Sequence, residues 1–458
     1  MSRLSKLFFA FLALTLLAGA AMAADGAKPK YVFLFIGDGM SIPQRMVADE
    51  FSKLTTGEGL ALETFDYEVP TTTRSADAFI TDSAAGGTAL ACGTKTNNHW
   101  VGVAPDGSRL TSTAEVARDA GKKVGIITSV TLNHATPAAF YGHQQSRSAG
   151  YALGLDLIAS NFDFFGGGGL DRHNDEKNEL YKGDIYELAK EAGYIVTHDP
   201  EEIKALEPGC GKVLACQKEG ALPYAIDDDS GLRIADYLSK AIELIDNENG
   251  FFIMTEGGKV DWMCHANDAA TTIREVIDLD AAVKVALKFA EEHKGETLIV
   301  VTGDHETGGL TLGFVGTGYK PYIERLAFQT CSKEALTARC NDLAKELGDD
   351  MKFEDFQPVI TEATGLLFDG DKDDPMKLKD EELATLKSAY GRHKKADMGA
   401  LVSSVIEIFD GKAGLAWTSG GHTALPVKTS ATGVGADLFH GHFDNTDVAK
   451  VLKSLVVD

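Results

Sequence analysis

Glu256, Asp261 and His265 stand in the run MTEGGKVDWMCHAND, and Asp304 and His305 in IVVTGDHETGG, so five side chains of metal-ligand type fall in two short stretches. Asp261 and His265 are four apart, which on a helical turn places both on one face, and an adjacent Asp-His pair on a loop can converge on a single ion. Taken singly, each carboxylate or imidazole is ordinarily structural or solvated; as two tight clusters they point to a metalloenzyme. Cys264 adjoins His265 and could be mistaken for a ligand, but reads as a free thiol, while Cys92 in ALACG reads as a small buried residue. A third stretch, TDSAAGGTALACGTKT, places Ser83 after Asp82 and before small residues suited to a tightly packed helix. A serine at a helix N-terminus lies in positive potential that favours its alkoxide and any attached phosphate, whereas the plainer reading is an N-cap. No general base is evident beside it, so activation by metal is the more economical chemistry.

These residues need elements to bring them together. The runs at 31–37, 123–130, 251–256 and 297–303 are short, β-branched or aromatic, and end in polar loops containing glycine, as buried parallel strands do. Helical patterns lie between them, the clearest over 271–293 with Ile273, Val276, Ile277, Val283 and Leu287 on one stripe. The alternation predicts an α/β fold: a central, mostly parallel sheet flanked by helices on both faces. Each strand is followed by candidate ligands: Asp38, then His134 and Thr136, then Asp261 and His265, then Asp304 and His305. Sites in open α/β sheets gather at the carboxyl ends of strands, so the repetition predicts one shared pocket. From 313 to 395 the sequence turns lysine- and acid-rich and helical, which reads as an insertion capping or flanking the core. Within it Asp369, Asp371 and Asp373 alternate as in a calcium loop, but Asp374 stands where glycine is needed and Asp380 where glutamate is, so a solvated acidic turn is the better reading.

The N-terminus, MSRLSKLFFAFLALTLLAGAAMAAD, has Arg3 and Lys6 before an apolar run, with Ala21 and Ala23 framing a cleavage signal. It reads as a secretory signal peptide, 1–23, cleaved after Ala23 to leave one catalytic domain over 24–458 that is secreted or periplasmic. The apolar run is shorter than the ~20 residues that span a bilayer, and no lipobox-type cysteine follows, so no membrane anchor is expected. Removing the signal takes away two cations and no acids, which moves the formal charge from -24 to -26. Such an acidic chain disfavours nucleic acid, and an anionic substrate would need a locally positive, metal-rich pocket. Export permits disulfides, and Cys210 with Cys216 and Cys331 with Cys340 are spaced to close short loops, leaving Cys92 and Cys264 free.

Six motifs appear in order: FIGDGM, TDSAAGGTA, HATPAAF, TEGGKVDWMCH, TGDHETGG and SGGHTALPV. By them nearly the whole mature chain resembles the alkaline phosphatases. The resemblance implies hydrolysis of small-molecule phosphate monoesters at alkaline pH, with two Zn²⁺ and one Mg²⁺ per subunit and a phosphoserine intermediate on Ser83. It further implies that Asp261, His265 and His422 hold the first zinc, that Asp38, Asp304 and His305 hold the second, and that Asp38, Thr136 and Glu256 hold magnesium. Arg147 matches the arginine that clamps phosphate. Imidazole and carboxylate suit zinc, oxygen donors suit magnesium, and two zincs about 4 Å apart stabilise the attacking and leaving oxygens of an in-line displacement.

Two positions depart from the enteric bacterial pattern: His134 stands in place of an aspartate near the magnesium, and Trp262 in place of a lysine. With Trp417 they resemble the marine bacterial enzymes. The expectation is that His134 meets the magnesium shell through water and that Trp262 and Trp417 wall the pocket, a plain core role staying open for each tryptophan. The resemblance implies a homodimer, with a monomer the alternative. A phosphodiesterase or phosphotransferase of the same superfamily is the second reading; a sulfatase would need arginine where Gly87 stands. A non-catalytic exported zinc-binding protein would show a broken constellation, and no member is missing.

Overall fold

The computed structural model describes residues 28–227, 231–315, 317–393 and 396–457, so the expected signal peptide lies outside the described residues. Among these, ten strands join in one sheet: β1 (Tyr31–Gly37), β2 (Tyr67–Thr72), β3 (Lys123–Thr128), β4 (Phe164–Gly167), β5 (Tyr194–Thr197), β6 (Lys212–Cys216), β7 (Phe251–Gly257), β8 (Thr297–Gly303), β9 (Val427–Gly433) and β10 (Phe443–Asp444). Their order is β10-β2-β9-β8-β1-β7-β3-β4-β6-β5. Every pairing is parallel except those of β9, which runs antiparallel to β2 and β8.

The three central strands β8, β1 and β7 are buried along their whole length. Alternation of side chains then sorts each strand into two cores. Tyr31, Phe33 and Phe35 join Phe251, Ile253, Ile299 and Val301 on one face, while Val32, Leu34 and Ile36 join Phe252, Met254, Leu298 and Val300 on the other. On the first face lie helices α1 (Ile42–Thr56) and α4 (Ala269–Glu292); on the second lies α2 (Ser83–Cys92). In α4 the buried stripe is Ile273, Val276, Leu279, Val283 and Ala286, so the expected Ile277 and Leu287 sit on its flank, partly buried. Helix α3 (Lys259–Ala266) joins β7 to α4.

The chain leaves the sheet layer at Thr311–Leu312 and returns at Leu415–Ala416, where the two segments pair antiparallel. Between them come helices Lys333–Leu347, Phe353–Thr364, Asp380–Tyr390 and Gly399–Ala413. Their apolar residues, among them Leu336, Phe356, Ile360, Leu386 and Val402, belong to the same hydrophobic cluster as Phe33. This segment therefore shares the core of one sheet face. In the acidic turn, Asp371 and Asp374 accept hydrogen bonds from Asp373 N and Met376 N, the two-residue reach of Asx turns.

Neither expected disulfide is formed, and all six cysteines are free thiols. Cys216 lies in the core on one face of the sheet, beside Tyr186 and His198, whereas Cys210 packs against the core of the other face. Cys331 turns its sulfur to Arg339 Nη1 at 3.9 Å, and Cys340 points into the core from its own helix.

Phe33 meets Phe251 and Phe289 edge-on, with centroids 5.1 and 5.7 Å apart, at the centre of the first core. Phe33→Ala should cost about 3–5 kcal/mol, read as a lower midpoint in guanidinium unfolding of the metal-loaded protein.

Candidate active site

Parallel register sets the depth of the site. Gly37 at the end of β1 is level with Gly257 of β7 and Gly303 of β8, so Asp38 and Asp304 emerge side by side while Glu256 sits one residue below the rim. All three are fully buried. Asp261 enters from α3, His305 follows Asp304, and His422 comes from a short strand, His422–Thr423, that pairs with Glu306–Thr307.

The expected ligands meet in two groups that share an edge. His265 Nε2 lies 3.3 Å from Asp261 Oδ2 and 3.1 Å from His422 Nε2, and His422 Nε2 lies 3.6 Å from Asp261 Oδ1. His305 Nε2 lies 3.3 Å from Asp38 Oδ1 and 3.2 Å from Asp304 Oδ2. The rings of His305 and His422 stack at 3.7 Å, joining the two groups. A third group places a ring nitrogen of His134 within 4.8 Å of carboxylate oxygens of Asp38 and Glu256. Thr136 Oγ1 is 3.4 Å from both Asp38 Oδ2 and Asp304 Oδ2.

Metal ligands are oriented through their second nitrogen. His265 Nδ1 is 2.7 Å from Gly420 O, His422 Nδ1 is 2.8 Å from Thr81 O, and His305 Nδ1 is 3.2 Å from Thr307 Oγ1, so each Nε2 faces the cluster. Thr307 also donates to Asp261 Oδ1 at 2.6 Å. Glu306, buried, accepts from Gln44, Gly309 and Thr423 and so ties the His305 loop to the His422 loop. The residue types of Thr307 and Glu306 do not by themselves point to these roles. The available signal is their place in TGDHETGG, directly after the Asp304-His305 pair at the end of a buried strand.

Burial and mutual repulsion dominate the electrostatics. Asp38 is held well above the ordinary carboxylate range by burial and by the charges of Asp304 and Asp261. Burial also pushes Glu256 up to about 8 and Asp304 to about 7. Burial raises Asp261 too, but the hydrogen bond with His265 and the field of His305 outweigh it and leave it below the usual range. The bond to Asp261 lifts His265 to about 8, while burial lowers His134 to about 4. Among the described residues, Asp38 Oδ1, Glu256 Oε1 and His134 Nδ1 are buried with no hydrogen-bond partner, and all three belong to the third group. Four buried carboxylates, two of them with an orphaned oxygen, fit cations and little else.

Ser83 is the first residue of α2. Asp82 caps that helix through Ala85 N at 3.0 Å, and Ser83 Oγ lies 3.2 Å from His305 Nε2. The small residues that follow let the helix come this close: a Cβ on Gly86 would stand 3.0 Å from Asp304 O, and one on Gly87 3.1 Å from Thr136 Cα. Gly39, at φ 70°, is required at the opposite wall, where a Cβ would press on Thr307 and Asp261. Arg147 is held by Asp82 Oδ2 at 3.0 Å through Nη1 and lies 3.2 Å from His134 Nε2 through Nη2. Trp262 stands edge-on to His134 with centroids 6.2 Å apart. Trp417 Nε1 donates to Asp410 at 2.8 Å, and its ring covers Gly308.

Paired carboxylate-imidazole groups at the carboxyl ends of a parallel sheet, with a serine hydroxyl beside one of them, define a metal-dependent hydrolase of the α/β class. The family model for alkaline phosphatase matches residues 29–457, and the chain belongs to that family. Alkaline phosphatase 4 of Bacillus subtilis is 31% identical over 453 residues, covering 94% of this chain and 90% of the relative. The repressible alkaline phosphatase of Saccharomyces cerevisiae is 29% identical over 482 residues, covering 95% and 83%. The crystal structure of a cold-active alkaline phosphatase from a psychrophilic Shewanella sp. superposes with a TM-score of 0.80 at 28% identity, covering 93% of this chain and 100% of that one. The chain is a phosphatase that hydrolyses phosphate monoesters.

Without cations, Glu256 and Asp304 keep protons in the folded state that they lose at about pH 4 when unfolded, and His265 likewise holds its proton higher than an unfolded imidazole. Stability from these groups is present at low pH and lost as pH rises to about 8. His134 works the other way, but only below the ordinary imidazole range near 6.5. The melting temperature of the chelated protein should therefore fall between pH 6.5 and 8.5, and that of the metal-loaded protein should stay level.

Proposed function

We propose that Ser83 is the nucleophile of a two-step phosphomonoesterase, with zinc at Asp261, His265 and His422, a second zinc at Asp38, Asp304 and His305, and magnesium at Asp38, Glu256 and Thr136. The observation that carries this reading is the position of Ser83 Oγ, 3.2 Å from His305 Nε2 at the N-terminus of α2, where the two ligand groups adjoin. The ions would supply the positive charge that stabilises the attacking and leaving oxygens. Ser83 Oγ attacks phosphorus as the ester P–O bond breaks in line, and the alcohol departs with a proton. Water then attacks the phosphoserine, the P–Oγ bond breaks, and inorganic phosphate leaves with Ser83 restored. Arg147 forks onto two phosphate oxygens, a bidentate role that lysine cannot copy. Before substrate arrives, Asp82 holds Nη1 of that guanidinium and His134 stands beside Nη2. Trp262, beside His134, walls the pocket on the side of α3.

The working enzyme is exported: the N-terminal sequence supports this, and no helix among the described residues is long and apolar enough to cross a membrane. Hydrolysis of an aryl phosphate monoester and its diester at pH 9 to 10, with zinc and magnesium present, tests the reading. Ser83→Ala should lower monoester turnover by at least about 10³-fold with the fold intact, and chelation should abolish turnover reversibly. Diester preference would overturn the substrate class, and activity surviving in Ser83→Ala would overturn the nucleophile.

A further inference from the structure

The sequence TNNHWVG contains a residue that neither the ligand groups nor the nucleophile account for. Trp100 N donates to Asn97 O at 3.1 Å, closing a turn whose third residue is His99. His99 has φ 71°, in the left-handed region. A turn with positive φ at that place ordinarily takes glycine, and a side chain there costs on the order of 1 kcal/mol. The turn is bolted to the stretch of chain that leads into Ser83: Asn98 Oδ1 accepts from Asp82 N at 3.0 Å, Asn98 Nδ2 donates to Ile80 O at 3.1 Å, and Asn98 N donates to Asp77 at 2.9 Å. A strained backbone so firmly held, carrying a ring in place of a hydrogen, calls for a function of the ring.

The ring is 74% exposed, so burial in a core does not explain it. Its Nδ1 lies 3.4 Å from Asp82 Oδ2, the same oxygen that accepts Arg147 Nη1 at 3.0 Å. The backbone of His99 also reaches the arginine, since Arg147 N donates to His99 O at 2.7 Å. His99 thus touches the clamp twice, once through its main chain and once through the carboxylate that holds the guanidinium.

We propose that His99 is a positioning residue of the phosphate clamp, one that competes with Arg147 for Asp82 and so sets how firmly the guanidinium is held back from phosphate. The inference rests on the reading of Arg147 as the clamp. A proton on Nδ1 donates to Asp82 Oδ2 and takes up part of its charge. The guanidinium is then freer to turn its Nη1 edge toward the anion over Ser83. Without the ring, Asp82 belongs wholly to Arg147, the fork stays parked on the carboxylate, and phosphate and substrate bind less well. The consequence falls on affinity, because the bond-making groups are elsewhere.

The test is steady-state kinetics of the metal-loaded enzyme on an aryl phosphate monoester, with inhibition by inorganic phosphate. His99→Gly keeps the left-handed turn and removes its strain, so melting temperature should hold or rise. Its KM and its inhibition constant for phosphate should both increase about two- to five-fold, the scale of an exposed charged contact, with kcat not falling. In an Asp82→Ser background, which retains a helix cap, the same His99→Gly change should have no effect on either constant. An increase that persists in the Asp82→Ser background would overturn the proposal, because His99 would then act on something other than Asp82. Unchanged constants in His99→Gly, with phosphate binding still weakened in Arg147→Ala, would overturn it too and leave the clamp standing. Unchanged phosphate inhibition in Arg147→Ala would instead remove the clamp itself.

Discussion

Four carboxylates, those of Asp38, Glu256, Asp261 and Asp304, are buried together at the ends of the central strands, and that concentration of negative charge is the constraint the rest of the structure answers. Left alone, such groups take up protons, as the raised affinities of Asp38, Glu256 and Asp304 show. Divalent cations are the alternative, and three imidazoles with their Nε2 atoms turned inward complete the donor sets. A sheet of parallel strands is suited to holding such a cluster, because main-chain hydrogen bonding fixes the depth of each strand end to one residue.

The surrounding elements are fitted to this cluster at short range. Gly86 and Gly87 bring α2 against the backbone of Asp304 and Thr136, which puts Ser83 at the cluster's edge. Main-chain carbonyls of Gly420 and Thr81 set two of the imidazoles, and Thr307 sets the third. Asp82 serves twice: one oxygen caps α2 and the other holds Arg147, so Ser83 and Arg147 share a support. The long helical segment between Leu312 and Leu415 joins the same hydrophobic face as α4 and, through Asp410, holds Trp417 five residues before His422.

Legibility in the sequence tracks the range of the interactions. Strands β1, β7 and β8 are buried on both faces and so are continuous apolar runs; β2 (YEVPTT) is half exposed and β9 (VKTSATG) buries polar Thr429 and Ser430, so neither gives such a signal. Strands β4 and β5 are four residues each, too short for periodicity to speak. Asp38, Asp304 and His305 are legible because they directly follow buried runs. His422 and Arg147 are reached only by resemblance, their partners Asp261 and Asp82 lying far away in sequence. His99 carries no local signal, since its meaning lies in a backbone angle and two contacts with residues beyond its own turn. The disulfide expectation fails for a similar reason: Cys210 and Cys216 are near in sequence, but they pack on opposite faces of the sheet.

Anomalous diffraction from crystals of the protein grown with zinc and magnesium, collected on both sides of the zinc edge, tests the central claim most directly. The account predicts two zinc peaks, one among Asp261, His265 and His422 and one among Asp38, Asp304 and His305, with Ser83 Oγ beside the second. Crystals with no anomalous density at either group would contradict it.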